Sequence, residues 1–234
     1  MRKEEVKAAL AIFAKTPGRT PAKTRLGATI GQPAAEAFYR LSLAATAELA
    51  DAAAAAGPVD VVWAVAEPDA AANSCWAGRR TVSQGTGGLG ERLHTVYSHL
   101  IAQYPAVLMI GCDSPHHAPG DFTGPAARLL DDRDPADFRL GRCDDGGYWL
   151  LGGRRPVPRE AFLAVGYSTA RTAADTAAAL APLGELAEEP ASFDVDKAAD
   201  LPRLRAALAA PRHLLPGQAA LRDWLARHGA HPVA

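Results

Sequence analysis

The sequence predicts one α/β domain, Rossmann-like, with a mostly parallel central sheet and helices on both faces. Three observations carry that expectation. Short apolar runs alternate with segments of helical period along most of the chain. Two of the runs, "ALAIFA" (Ala9–Ala14) and "AVLMIGCD", are apolar almost without a break, as strands covered on both faces are. Between the first two strands lies a long alanine-rich segment, Pro33–Ala56, in which Phe38, Leu41, Ala45 and Leu49 recur at helical spacing.

The elements follow in order. "ALAIFA" is the first strand, and "KTPGRTPAKTRLG" after it is a basic loop shaped by Pro and Gly. The long helix stops at Gly57-Pro58, "VDVVWAV" is the second strand and "RTVSQ" a brief third. Gly88–Gln103 reads as a helix, "AVLMIGCD" as the fourth strand and Phe122–Leu130 as a helix. "DFRLGR" and "YWLLGG" read as two strands around the turn "CDDGG", because Asp-Gly-Gly permits positive φ. Thr169–Leu183 is helical in pattern and "ELAEEP" suits an edge strand. Beyond "FDVD" come two helical segments, Ala198–Ala209 and Gln218–Arg227, with "PRHLLPG" as a hinge between them. The expected organisation is one domain over residues 1–209 and a C-terminal helical tail over 210–234 that offers a surface for pairing two subunits.

Composition narrows the partners. The 234 residues are 48% hydrophobic and 22% charged, with a net charge of −1, so no basic excess favours nucleic acid. No apolar run reaches the length of a membrane span. Glu4 and Glu5 interrupt what would be the basic region of a signal peptide. Cys75, Cys112 and Cys143 are odd in number and far apart, which argues against a disulfide framework or structural zinc and for a reducing cytoplasm.

Gly85, Gly87 and Gly90 spell G-x-G-x-x-G ahead of a helix, and Asp113 follows about where a ribose-binding acid of a dinucleotide site would stand. Two facts oppose an NAD site. The strand before the glycines is short and polar, and at least two strands precede it, whereas the fingerprint usually opens its domain. The glycines either form a loop that caps a helix or bring backbone close to a flat ligand, with Gln84 offering amide hydrogen bonds.

Ligands of such sheets bind at the carboxyl ends of strands. Lys15, Arg19, Lys23 and Arg25 cluster directly after the first strand, where they suit a polyanion or form a solvated loop. Asp113 ends a buried strand, and an acid there needs solvent, a hydrogen bond or a cation. Asp194 and Asp196 in "FDVD" stand two apart, so an extended segment turns both carboxylates one way. Basic loop, strand-end Asp and D-x-D pair together describe a metal–diphosphate site for Mg2+ or Mn2+. His116 and His117 diverge as neighbours do and read as loop histidines without a catalytic role.

Six stretches in this order, "IFAKTPGRTPAKTRL", "QGTGGLGERL", "IGCDSP", "CDDGGYWLLGG", "GYST" and "DVDKAADL", resemble a bacterial family of GT-A-fold, glycosyltransferase-like proteins. That family is found near radical-SAM and arsenosugar-biosynthesis genes. It is similar to phospholactate- and phosphoenolpyruvate-guanylyltransferases and to molybdenum-cofactor nucleotidyltransferases. The resemblance implies a nucleotide-diphospho-sugar transferase fold and a nucleotide lying over the first strand ends. It places Ala14, Lys15, Lys23 and Arg25 at phosphates, Gln84, Gly87 and Gly88 at the base, and Asp113, Asp194 and Asp196 at a divalent metal. Asp144, Asp145, Gly146, Gly147 and Tyr148 would face the acceptor, with Asp145 or Asp144 as the base of an inverting reaction. The glycines then read a mononucleotide. "GR" at Gly141-Arg142, Tyr167 in "GYST" and the segment "HHAPGDF" depart from the family pattern, all on the acceptor side.

Three functions follow from the resemblance. The first is metal-dependent transfer of a sugar from a nucleotide sugar to a small-molecule acceptor. The second is nucleotidyl transfer from an NTP to a phosphorylated small molecule, with pyrophosphate leaving. The third is nucleotide binding without turnover.

Overall fold

The computed structural model describes residues 6–69, 73–210 and 213–228. The acidic start that argues against a signal peptide, part of the hinge and the end of the C-terminal tail lie outside the described residues. Among the described residues, seven strands form one sheet in the order β3-β2-β1-β4-β6-β5-β7. They are β1 (Ala8–Ala14), β2 (Val59–Val65), β3 (Thr81–Ser83), β4 (Val107–Gly111), β5 (Phe138–Cys143), β6 (Tyr148–Gly153) and β7 (Leu186–Ser192). Only β6 runs against the others, pairing antiparallel with β4 and β5.

Among the described residues there are eight α-helices: α1 (Thr24–Ile30), α2 (Gln32–Ala56), α3 (Leu89–Ile101), α4 (Gly120–Leu130), α5 (Arg159–Leu163), α6 (Thr172–Leu180), α7 (Leu201–Ala209) and α8 (Pro216–His228). The period of two along β1 explains the layering. Leu10 and Ile12 pack with Tyr39 and Leu43 of α2 and Phe122 and Leu129 of α4. Ala9 and Ala11 face the other way, toward Val96 and Leu100 of α3 and Phe162 of α5. A third cluster joins Leu26 of α1 and Phe38 of α2 to Leu204 of α7 and Leu221 and Trp224 of α8.

The mostly parallel α/β sheet, its hairpin around Asp144–Gly147 and the edge strand β7 match the sequence expectation. Two helices do not: α1 begins inside the stretch read as loop, and α5 was not foreseen. Both are short, and each buries a single large side chain, Leu26 or Phe162, which leaves no periodicity to read. Helix α8 docks on α2, where Gly217 N donates to Glu48 Oε2 at 2.7 Å and Gln218 Nε2 donates to the carbonyls of Pro115 and His117. Among the described residues no helix is long and apolar enough to cross a membrane.

Candidate nucleotide cleft

The carboxyl ends of the four parallel strands β1, β2, β3 and β4 open together. Ala14 and Lys15, Ala66, Gln84, and Cys112 and Asp113 follow those ends and line one cleft of about 380 Å³. Lys23, Arg25, Tyr39, Leu89, Arg92 and Asp196 also line it.

The loop after β1 is built rather than merely tethered. Tyr39 of α2 accepts from Lys15 N at 2.8 Å and donates to Lys15 O at 2.9 Å, fixing the chain as it leaves the strand. Burial keeps the Tyr39 hydroxyl protonated by pushing its pKa well up. Thr16 N donates to Glu67 Oε2 at 2.8 Å, and Trp76 Nε1 donates to Thr16 Oγ1 at 3.0 Å. Burial opposes ionisation of Glu67, but the bonds from Thr16 and Thr20 outweigh it and lower its pKa. Ala22 N donates to Glu36 Oε1 at 3.0 Å.

Lys23 then adopts left-handed backbone, φ 53 and ψ 42, and turns inward. Its Nζ lies 2.7 Å from Asp113 Oδ1 and 3.3 Å from Asp196 Oδ1, and it donates to Val195 O at 2.5 Å. The lysine side chain is only 5% exposed, while Asp113 and Asp196 are 40% and 37% exposed. Burial works against the ammonium charge, yet the two carboxylates outweigh it and hold the pKa above that of an ordinary lysine. Arg25 Nη1 reaches Asp196 Oδ2 at 3.4 Å. The residues after β4 and β7 are stitched together: Val195 N donates to Asp113 O at 3.0 Å, and Ser114 Oγ donates to Phe193 O at 2.7 Å.

Gln84 is buried, and its Nε2 donates to Ala64 O at 2.8 Å and Ala14 O at 3.3 Å. Both amide hydrogens are thus spent on the strands, which leaves Oε1, an acceptor, as the group available to a ligand. Gly85 and Gly87 have φ of 75 and 95, conformations that favour glycine. Gly88 N donates to Glu91 Oε2 at 2.8 Å, so Glu91 caps the start of α3. Gly90 packs so closely that a Cβ would lie 2.8 Å from Phe162 O. Gly87 and Gly88 do not line the cleft, whereas Leu89 and Arg92 do. The sequence reading missed Arg92; its signal was a basic residue one turn into the helix that follows the glycines.

A second group of residues adjoins the first through the D-x-D pair. Asp196 joins the Lys23 cluster, but Asp194 lies with Cys143 and Asp145, whose donor atoms and its own all fall within 4.8 Å of one another. Burial, then repulsion from Asp196, Asp145 and Asp113, pushes the Asp194 carboxyl up to about 6. In the β5–β6 turn, Asp145 Oδ1 accepts from Gly147 N at 2.9 Å. Gly146 has φ 89, and a Cβ there would lie 2.0 Å from Ala170 O. Asp144 pairs with Arg203, whose guanidinium lies 4.1 Å from the Phe193 ring centroid. Tyr148 packs against the α3–α6 side of the sheet. None of residues 144–148 lines the cleft.

His116 and His117 are buried away from it. His116 Nε2 meets Ser192 Oγ at 2.9 Å and its ring stacks on Phe193; His117 Nδ1 meets Asp121 Oδ2 at 3.0 Å and its ring stacks on Trp149.

Residues 46–169, more than half of the chain, match the family DUF2064, described as an uncharacterized protein conserved in bacteria, and the chain belongs to that family. No curated protein matches the sequence. A solved structure from Desulfovibrio desulfuricans G20, a candidate nucleotide-diphospho-sugar transferase, superposes with a TM-score of 0.78. It is 23% identical, over 95% of this chain and 98% of that one. Rv0371c from Mycobacterium tuberculosis H37Rv gives 0.51 at 16% identity over 86% and 98% of the chains. A cytidylyltransferase from Leptospira borgpetersenii gives 0.50 at 10% identity over 98% and 99%. The fold is that of the nucleotide-diphospho-sugar transferases.

Proposed function

We propose that this member of the DUF2064 family is a metal-dependent transferase that moves a sugar from a nucleotide-diphosphate sugar to a small-molecule acceptor. The observation that carries the reading is the cleft at the ends of β1–β4, where Lys15, Arg25 and Arg92 meet the ion cluster of Asp113, Lys23 and Asp196. That position is where open α/β sheets bind ligands, and its basic groups suit a diphosphate.

The donor set fits a divalent cation. Asp113 and Asp196 already surround one positive charge, the Lys23 ammonium, and both keep more than a third of their surface toward solvent. A hard ion of the Mg2+ or Mn2+ type takes such carboxylates together with substrate phosphate oxygens. When bound, it would offset the charge that grows on the leaving diphosphate. The chain's own groups do the rest. Lys15, Arg25 and Arg92 neutralise the remaining phosphate charge, and Lys23 holds Asp113 and Asp196 in position. Gln84 Oε1 accepts from a base N–H, and Asp145 or Asp144 takes the acceptor proton if configuration inverts. The likeness to families found near radical-SAM and arsenosugar-biosynthesis genes belongs to the same proposal, as do a cytoplasmic location and a core domain over residues 1–209.

Nucleotidyl transfer is the second reading. The nearness of Asp194 to Asp113 and Asp196 favours it, because a third carboxylate beside that pair suits a second ion on a triphosphate. Phosphorus NMR on the protein with nucleotide sugars or NTPs, Mn2+ and a phosphorylated or hydroxylated acceptor panel separates the two. Nucleoside diphosphate as product supports glycosyl transfer, and pyrophosphate supports nucleotidyl transfer. Binding without either product would leave a nucleotide-binding module.

A further inference from the structure

Cys143 is the last residue of β5, opposite Ser192 at the edge of the sheet. It is 7% exposed, and its thiol makes no hydrogen bond among the described residues. A buried thiol facing apolar side chains would need no comment, but Cys143 points at the carboxylates of Asp145 and Asp194. Neither acid forms an ion pair with a basic side chain among the described residues. The nearby Arg203 is engaged by Asp144 and Phe193. Lys23, the buried cation on the other side, is committed to Asp113 and Asp196. Two carboxylates and a buried thiol therefore converge with nothing positive among them.

We propose that Cys143, Asp145 and Asp194 form a cation site of their own, selective for a borderline divalent ion of the Zn2+ type and distinct from the Asp113–Asp196 pair. Sulfur is the discriminating ligand. A hard ion such as Mg2+ gains little from a thiolate, whereas Zn2+ or Co2+ takes sulfur and oxygen together. Metal–ligand bonds of about 2.0–2.3 Å place tetrahedral ligands about 3.5 Å apart. The present spread, up to 4.8 Å, then closes by roughly 1 Å, and the exposed Asp145 turn supplies that movement. On binding, the ion forms a bond to Cys143 Sγ and the thiol proton leaves to solvent. Three protein ligands leave a fourth position open beside the acceptor-side turn, where an acceptor hydroxyl or phosphate oxygen would bind. That last step rests on the transferase reading; the ion site does not.

The test is Co2+ titration of the EDTA-stripped full chain, following the thiolate-to-cobalt charge-transfer band and proton release, with no nucleotide present. The expected result is one equivalent bound, a band lost in Cys143→Ser and kept in Cys75→Ser, and displacement of Co2+ by Zn2+ but not by Mg2+. Asp194→Asn lowers the affinity at least tenfold. Absence of the band in the folded wild type, or its survival in Cys143→Ser, overturns the proposal. If Cys143→Ser fails to fold by circular dichroism, an unchanged affinity in Asp194→Asn overturns it instead. Asp113→Asn keeps the band, so a chain that gives the band but binds no nucleotide refutes the reading of the cleft and not this one.

Discussion

Lys23 and Asp113 meet at 2.7 Å across 90 residues of sequence, and the contact joins the loop after β1 to the end of β4. Replacing Lys23 with Ala leaves Asp113 without its counter-ion and Asp196 with only the longer contact to Arg25. Loss of one partner from a fully buried pair costs about 3–5 kcal/mol, and the partial exposure of both acids reduces this to roughly 1–3 kcal/mol. Urea denaturation measures it. Lys23→Gly relieves the left-handed backbone and is expected to be the less destabilised of the two. Mn2+ is expected to restore more stability to Lys23→Ala than to the wild type, because it replaces the missing charge.

Asp194 predicts a pH dependence. Its folded-state pKa of about 6 lies above the ordinary aspartate value of 3.8, so the folded chain binds the proton more tightly than the unfolded one. Stability is therefore fullest below the unfolded value and declines as pH rises through the folded one. Compared by thermal melting without metal, Asp194→Asn gains on the wild type between pH 4 and pH 7. A constant difference across that range would contradict the account.

Gly146 tests the acceptor-side turn. Its φ of 89 and the 2.0 Å approach of a Cβ to Ala170 O leave no room for a side chain. Gly146→Ala is expected to cost roughly 2–4 kcal/mol, combining backbone strain and overlap. Gly78 has φ 74 but nothing within 4 Å, so Gly78→Ala costs only the strain, about 1 kcal/mol. Parallel chemical denaturation of the two variants separates the contributions.

Gln84→Ala removes the amide donor from Ala64 O and a second donor from Ala14 O, which keeps its bond from Ala66 N at 3.0 Å. The expected loss is about 1 kcal/mol of stability, together with weaker nucleotide binding. Gln84→Glu removes the amide donors while keeping the shape, and calorimetry would show it to bind at least as poorly.

The sequence made much of this legible. The unbroken apolar runs of β1 and β4 marked the central strands, and Asp113 stood at the end of one of them. Lys15, Lys23 and Arg25 of the basic loop and Asp196 of the D-x-D pair lie around the cleft, whereas Asp194 does not line it. Pattern could not show that Lys23 turns inward onto Asp113 and Asp196, since that depends on a left-handed residue and on partners 90 and 173 positions away. Nor did spacing reveal that Asp194 and Asp196 engage different partners. The segment after β7 is not a regular strand, so the alternation that turns both carboxylates one way does not govern it. Cys143 was set aside for lack of a second cysteine nearby; its neighbours in space are acids from a turn and from the far end of the domain.

The measurement that bears most directly on the central claim is a thermal-shift panel of UDP, GDP, CDP, their sugars, NTPs and NAD(H). It is run with and without Mn2+ or Mg2+, on the wild type and on Asp113→Ala. Saturating ligand stabilises a folded site by roughly 2–4 kcal/mol. A metal-dependent transferase site gives a metal-dependent shift with one nucleotide class, and Asp113→Ala loses it. A shift with NAD(H) alone, indifferent to metal and to Asp113, would contradict that claim.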